Sequence, residues 1–185
     1  MSPQLQVIVF TVASAGIVWV SRSALLDFRS HGFYRFFAWE AILALILLNL
    51  ERWFYRPFSL QQLLSWPLLI ASLVLVIDGV RLLRLVGRPD ETRDDPSLIG
   101  IEKTTTLVTV GAYRYIRHPL YSSLLFLAWG AFLKRPSWVG AALALTATFF
   151  LTLTARIEEA ENVRFFGAAY QSYMKQTRMF IPFLF

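Results

Sequence analysis

The 185-residue chain contains no cysteine. That absence removes disulfides, a thiolate nucleophile and any cysteine-ligated metal or cluster, so its chemistry must come from other side chains. It also lacks the glycine-rich loop that cradles a nucleotide phosphate in soluble enzymes. Acidic residues are the minority, 12 against 18 Lys and Arg, for a net charge of +6. The cations sit beside apolar runs and form no stripe along a soluble helix, which argues against nucleic acid and for a membrane. The first segment does not read as a secretory leader. The run from Leu5 follows an uncharged Met-Ser-Pro-Gln and ends in Trp19 and Arg22, which predicts a retained first helix.

What is present is apolar: 56% of residues are hydrophobic and 16% aromatic, more than a water-soluble domain needs. Crossing a hydrocarbon core of roughly 30 Å takes about 20 mostly apolar residues. Five segments approach this: Leu5 to Val20, Phe36 to Leu50, Leu64 to Leu85, Leu120 to Leu133 and Trp138 to Ala155. The expected fold is an all-α integral membrane protein with five transmembrane helices in a single membrane domain. Three spans lie in 1–85, a cytoplasmic loop in 86–118, and a helical hairpin with a cytoplasmic amphipathic C-terminal helix in 119–185. Lys134-Arg-Pro-Ser137 is too short for anything but a tight turn, so the last two spans pair antiparallel. With five spans, one side gathers Arg22, Arg29, Arg35, the cations from Arg81 to Arg117, Arg156, Arg164, Lys175 and Arg178. The other side receives only Arg52, Arg56, Lys134 and Arg135. The positive-inside rule then places the N-terminus outside and the C-terminus in the cytoplasm. The compact size points to a bacterial inner membrane, or the endoplasmic reticulum in a eukaryote. Oligomeric state is not legible.

Two charged banks become neighbours at the cytoplasmic end. In the first, Arg114, Arg117 and His118 precede Pro119, whose fixed φ and missing N–H suit the first turn of a helix, with His118 at or near its cap. The free amides there favour an anion. The same arginines serve equally as anchors to lipid phosphate, with His118 as a mere cap. The second bank is Arg156-Ile-Glu158-Glu159-Ala-Glu161-Asn162. If the helix continues, Glu159, Val163, Phe166, Tyr170 and Tyr173 fall on one stripe at helical period. An inward Glu159 needs a cation or several donors, and Arg156 is the nearest along the helix. The helical rotation leaves at least one of Glu158, Glu159 and Glu161 facing solvent. Glu40 and Asp78 lie within spans near the same end and suggest a polar, substrate-binding cavity shared with Arg156. Asp78 with Arg81 at i, i+3 also reads as a structural pair.

The segment after the third span begins with mixed charge. Asp90, Glu91, Asp94 and Asp95 alternate with Arg88 and Arg93 and show no calcium-loop spacing, so no metal is expected. Thr104 to Val110 is small and β-branched and runs into Gly111, which predicts an extended stretch and a bend where backbone approaches something closely.

The run LVTVGAYRYIRHPLY (107–121), the hairpin, Glu158-Glu159, FGxxYxxY (166–173) and the closing Ile181-Pro182 together resemble the superfamily of isoprenylcysteine carboxyl methyltransferases and phospholipid methyltransferases, integral membrane enzymes. The resemblance covers roughly 107–182. It implies S-adenosylmethionine as methyl donor and a lipid or other lipophilic acceptor reached from the bilayer. It also implies that His118, Pro119 and Tyr121 line the cofactor pocket and that Glu158 or Glu159 holds hydroxyls or the ammonium. Backbone from Val108 through Gly111 to Tyr113 would hold the rest. Arg117 and Glu159 are the candidate catalytic residues, Arg117 or Arg156 orienting an anionic acceptor and Glu159 or His118 serving as base where one is needed. The chain departs from the pattern at Ser122-Ser123, where glycine is common, at Ala112, where proline is, and in a longer loop after Gly87. A weaker similarity to NADPH-dependent membrane sterol reductases rests on the arginine-histidine pair and the late aromatics. A non-catalytic lipid-binding protein on the same bundle is the third reading.

Overall fold

The structure, a computed structural model, describes residues 2–90, 98 and 100–182. Among these the chain forms six α-helices and no β-strand: α1 Pro3–Ser21, α2 His31–Asn49, α3 Leu60–Leu85, α4 Pro119–Lys134, α5 Trp138–Phe166 and α6 Ala168–Gln176. Helix starts follow local chemistry. The hydroxyls of Ser2, Ser30 and Ser137 accept from Leu5 N, Phe33 N and Gly140 N at 3.3, 3.3 and 3.0 Å, and proline opens α1 and α4.

Four segments are long and apolar enough to cross a membrane: Pro3–Ser21, His31–Arg52, Leu60–Leu85 and Trp138–Phe166. The fifth expected span, α4, has 16 residues and at 1.5 Å per residue measures roughly 24 Å, short of the hydrocarbon core. By contrast α5, at 29 residues, extends to roughly 43 Å. Its last three turns carry Glu158, Glu159, Glu161 and Asn162 beyond the apolar stretch.

Helices α2, α4 and α5 meet through small residues. Ala38, Ala128, Ala131, Ala144, Ala147 and Ala155 are fully enclosed there, with Leu45 and Leu151 between them. In a membrane the gain comes from close backbone approach and dispersion, which alanine permits. At one end of the bundle Asn49 donates to Ala131 O at 2.9 Å and Ser65 to Gly130 O at 2.7 Å. Lys134 Nζ donates to Gln62 Oε1 at 2.8 Å and lies 3.5 Å from the Trp66 ring centre. The other end gathers the start of α2, the end of α3, the start of α4 and the late turns of α5.

Two expectations are corrected. The stripe from Glu159 to Tyr173 does not lie on one helix: α5 stops at Phe166, and Gly167, at φ 60° and ψ −136°, turns the chain into α6. Few residues but glycine adopt that backbone. Nor does one of the three glutamates point to water, because each has a partner, described below. Most of the mixed-charge loop, including Glu91, Arg93, Asp94 and Asp95, lies outside the described residues.

Candidate active site

The loop entering the site is fixed by glycine. At Gly111, φ 59°, a Cβ would come 2.5 Å from Leu82 Cδ1 and 3.1 Å from Asp78 Oδ2. The bend and the close approach therefore coincide, and Ala112 N donates to Asp78 at 3.3 Å. Past the bend, residues 115–118 run beside the C-terminal segment. Arg178 N donates to Tyr115 O at 3.0 Å, Arg117 N to Arg178 O at 2.7 Å and His118 N to Met179 O at 3.2 Å. Ser122, where the family resemblance has glycine, donates to Phe180 O at 2.8 Å and ties this segment to α4. With these amides occupied, the strip before Pro119 is a structural seam.

A cavity of about 610 Å³, its open mouth included, lies where the helix ends meet. Leu83 and Leu120 line one side and Val108 and Tyr113 of the loop another; Arg117, His118 and Tyr121 face Glu158, Asn162 and Phe166, and Tyr170 and Tyr173 close it. His118 sits at the cap position of α4 without capping it. Its ring instead stacks on Tyr121, centres 5.4 Å apart and planes 18° apart, with Nε2 3.3 Å from Glu159 Oε1.

The charges sort into pairs. Arg117 Nε donates to Glu159 Oε1 at 2.5 Å, and its Nη1 donates to Thr177 O at 2.6 Å and Met174 O at 3.3 Å. Arg35 Nη1 donates to both oxygens of Glu102 at 2.6 and 2.5 Å. His31 Nδ1 lies 2.5 Å from Glu161 Oε2. Glu158 differs: the Tyr121 hydroxyl donates to it and His118 Nδ1 stands 3.9 Å away. Among the described residues no Lys or Arg stands within ion-pair distance of it. A carboxylate facing a cavity without a matching guanidinium or ammonium presents net negative charge to whatever enters. Burial is the main cause that pushes the Tyr113, Tyr170 and Tyr173 phenols up from their ordinary value. They stay neutral and donate, as Tyr173 does to Tyr113 O at 2.6 Å.

Val108, Tyr113, Arg117, His118, Tyr121 and Glu158 therefore converge on one cavity. Glu159 stands behind it, held by Arg117 and His118, and Arg156 is exposed rather than its partner. Pro119 is buried as the first residue of α4, and Gly111 lines an adjoining groove. Glu40 accepts from Ser14 of α1 at 2.8 Å, and Asp78 secures the Gly111 bend instead of pairing with Arg81. Neither side chain reaches the cavity lining. Sequence reasoning missed His31, Arg35 and Glu102. The available signal was a His and an Arg four residues apart on one face at the start of an apolar helix.

A family model described as phospholipid methyltransferase matches residues 60–169, well over half the chain. The chain belongs to the phospholipid methyltransferase family. Among curated relatives of this family member, a methanethiol S-methyltransferase of Pseudomonas deceptionensis is 28% identical over 123 residues, 65% of this chain and 43% of that protein. A protein-S-isoprenylcysteine O-methyltransferase of Schizosaccharomyces pombe is 35% identical over 83 residues, 44% and 35% of the two chains. The rat enzyme of the same name is 31% identical over 137 residues, 69% and 48%. The family member thus spans less than half the length of these relatives. No solved structure matches it. The matched region takes in α3, α4, α5 and the loop between them, which supply most of the cavity wall.

Proposed function

We propose that this chain transfers a methyl group from S-adenosylmethionine to a lipophilic acceptor at the cytoplasmic surface of its membrane. The observation that carries the reading is Glu158, a cavity carboxylate with a phenol and a distant imidazole for company. Cationic groups are what such a carboxylate favours, and S-adenosylmethionine carries two, an ammonium and a sulfonium. When bound, the sulfonium supplies the transferable methyl. Glu158 would hold the ammonium or the ribose hydroxyls, with Asn162 and Tyr170 as further polar contacts and Val108 as apolar wall. The Arg117–Glu159 pair and His118 would keep Tyr121 and Glu158 in place.

The acceptor would meet the cavity at its apolar side, formed by Leu83 of α3 and Leu120 of α4. In-line displacement gains most from fixed orientation and exclusion of water, so no strong general base is required when the acceptor is already an anion. The relatives' names include a thiol acceptor and an O-methylated isoprenylcysteine, and both chemistries fit this reading. A dinucleotide phosphate fits less well. Among the described residues Arg117 alone of the arginines and lysines lines the cavity, and its Nε and Nη1 are already engaged. We place α4 as a fifth, short span forming a hairpin with α5, with the N-terminus outside and α6 at the cytoplasmic surface. The test is incubation of the purified chain in lipid nanodiscs with radiolabelled S-adenosylmethionine and a membrane extract. Label should enter an extractable lipophilic product. Label that stays entirely in the donor across lipid, thiol and isoprenyl acceptors contradicts the proposal.

A further inference from the structure

Helix α2 supplies no cavity-lining residue, yet its first two turns carry two enclosed basic side chains, His31 at 0% and Arg35 at 2% exposure. Both face carboxylates from elsewhere in the chain. Glu102, which Arg35 grips through both oxygens, is itself a wall of the cavity. Glu161 takes His31 Nδ1 on one oxygen at 2.5 Å and the His31 backbone N–H on the other at 3.2 Å. It therefore also caps the positive end of α2. Glu161 sits three residues after Glu158 and beside Asn162, both cavity residues, and His31 Nε2 stands 3.9 Å from Glu102 Oε2.

We infer that His31 and Arg35 are positioning residues for the cavity. Arg35 sets the loop wall through Glu102, and His31 sets the rotation of the late turns of α5 through Glu161, which fixes where Glu158 points. The inference rests on reading this cavity as the S-adenosylmethionine site. A pair this enclosed is costly to leave half-made, so the useful variants keep a partner: Arg35→Lys retains charge but moves it from where Nη1 meets both Glu102 oxygens, His31→Gln retains a donor, and Glu102→Gln approaches from the less buried side.

The experiment combines titration calorimetry of S-adenosylmethionine with amide hydrogen exchange of the ligand-free chain in nanodiscs. Arg35→Lys and Glu102→Gln should each weaken binding about tenfold, and the double variant no further, because one acts through the other. Exchange across residues 100–104 should rise several-fold in Arg35→Lys, and across 158–162 in His31→Gln, while melting temperatures shift by only a few degrees. Unchanged affinity in a folded Arg35→Lys chain, additive effects in the double variant, or unchanged exchange in both segments overturns the inference. If the wild type binds no S-adenosylmethionine, the proposed function fails, and the exchange result alone decides whether α2 holds these two walls.

Discussion

At the scale of single residues, Glu158 and Glu159 are adjacent in sequence and opposite in situation. Glu159 has a guanidinium at 2.5 Å and an imidazole at 3.3 Å, whereas Glu158 has a phenol and an open cavity. Glu159→Gln is expected to loosen the seam between 115–118 and the C-terminal segment, lowering thermal stability by about 3 kcal/mol as Arg117 loses its counter-charge; thermal unfolding in detergent checks this. Tyr121→Phe removes the donor to Glu158 and should cost about 0.5–1.5 kcal/mol of ligand affinity without loss of fold, which calorimetry measures. The raised phenols of Tyr113, Tyr170 and Tyr173 carry a pH consequence. Their folded-state values lie above the unfolded value near 10, so the neutral form favoured in the fold confers its stability in full below that pH. The stability is lost progressively as pH climbs from there, and a melting series from pH 8 to 11.5 should decline only above about 10.

The spacing of the arginine-histidine-proline strip and the glutamate pair was legible, because the four-residue turn Lys134 to Ser137 between two apolar runs leaves little choice about what they bring together. Which glutamate faces inward was not. Arg156, three residues before Glu159, was the partner in reach along the helix, whereas the carboxylate is taken by Arg117, 42 residues away. His31 and Arg35 were hidden for a different reason: their partners stand 130 and 67 residues away, and only packed helices make them neighbours.

At the scale of elements, length and termination decide the site. Helix α5 runs beyond the apolar stretch and places three carboxylates past its end, then ends because Gly167 adopts a backbone open to few other residues. Gly167→Ala should destabilise the chain by about 1–3 kcal/mol and misplace Tyr170 and Tyr173, although a Cβ there meets no neighbour; thermal unfolding and tyrosine fluorescence report the two effects. Helical periodicity extended the stripe through Gly167 since Tyr170 and Tyr173 do return to the same side, by way of a turn and a second helix. In the bundle, Ala147 is wholly enclosed among α2, α4 and α5. Ala147→Leu should therefore separate the helices and cost about 1–3 kcal/mol, read as a lower melting temperature. Among membrane spans, α4 is where composition and structure part company: its apolar run reads as a span, but its helix is only 16 residues long. A helix buried by α2, α3 and α5 has less need to match the bilayer than one that faces lipid.

At the scale of the whole molecule, the helices alternate so that the cavity opens at the end rich in Lys and Arg. The absence of cysteine makes this orientation directly measurable. A single cysteine at the exposed Phe58 should react with a membrane-impermeant maleimide from outside intact cells, and one at Gln171 only after permeabilisation. The opposite pattern would invert the proposed topology and place the cavity outside.

The central claim is that the cavity around Glu158 binds S-adenosylmethionine, and equilibrium binding to the purified chain in nanodiscs tests it most directly. The account predicts saturable one-to-one binding by the wild type, weakened at least about tenfold in Glu158→Gln, where charge is removed and shape retained. Absence of binding by the folded wild type, or equal affinity in Glu158→Gln, would contradict it.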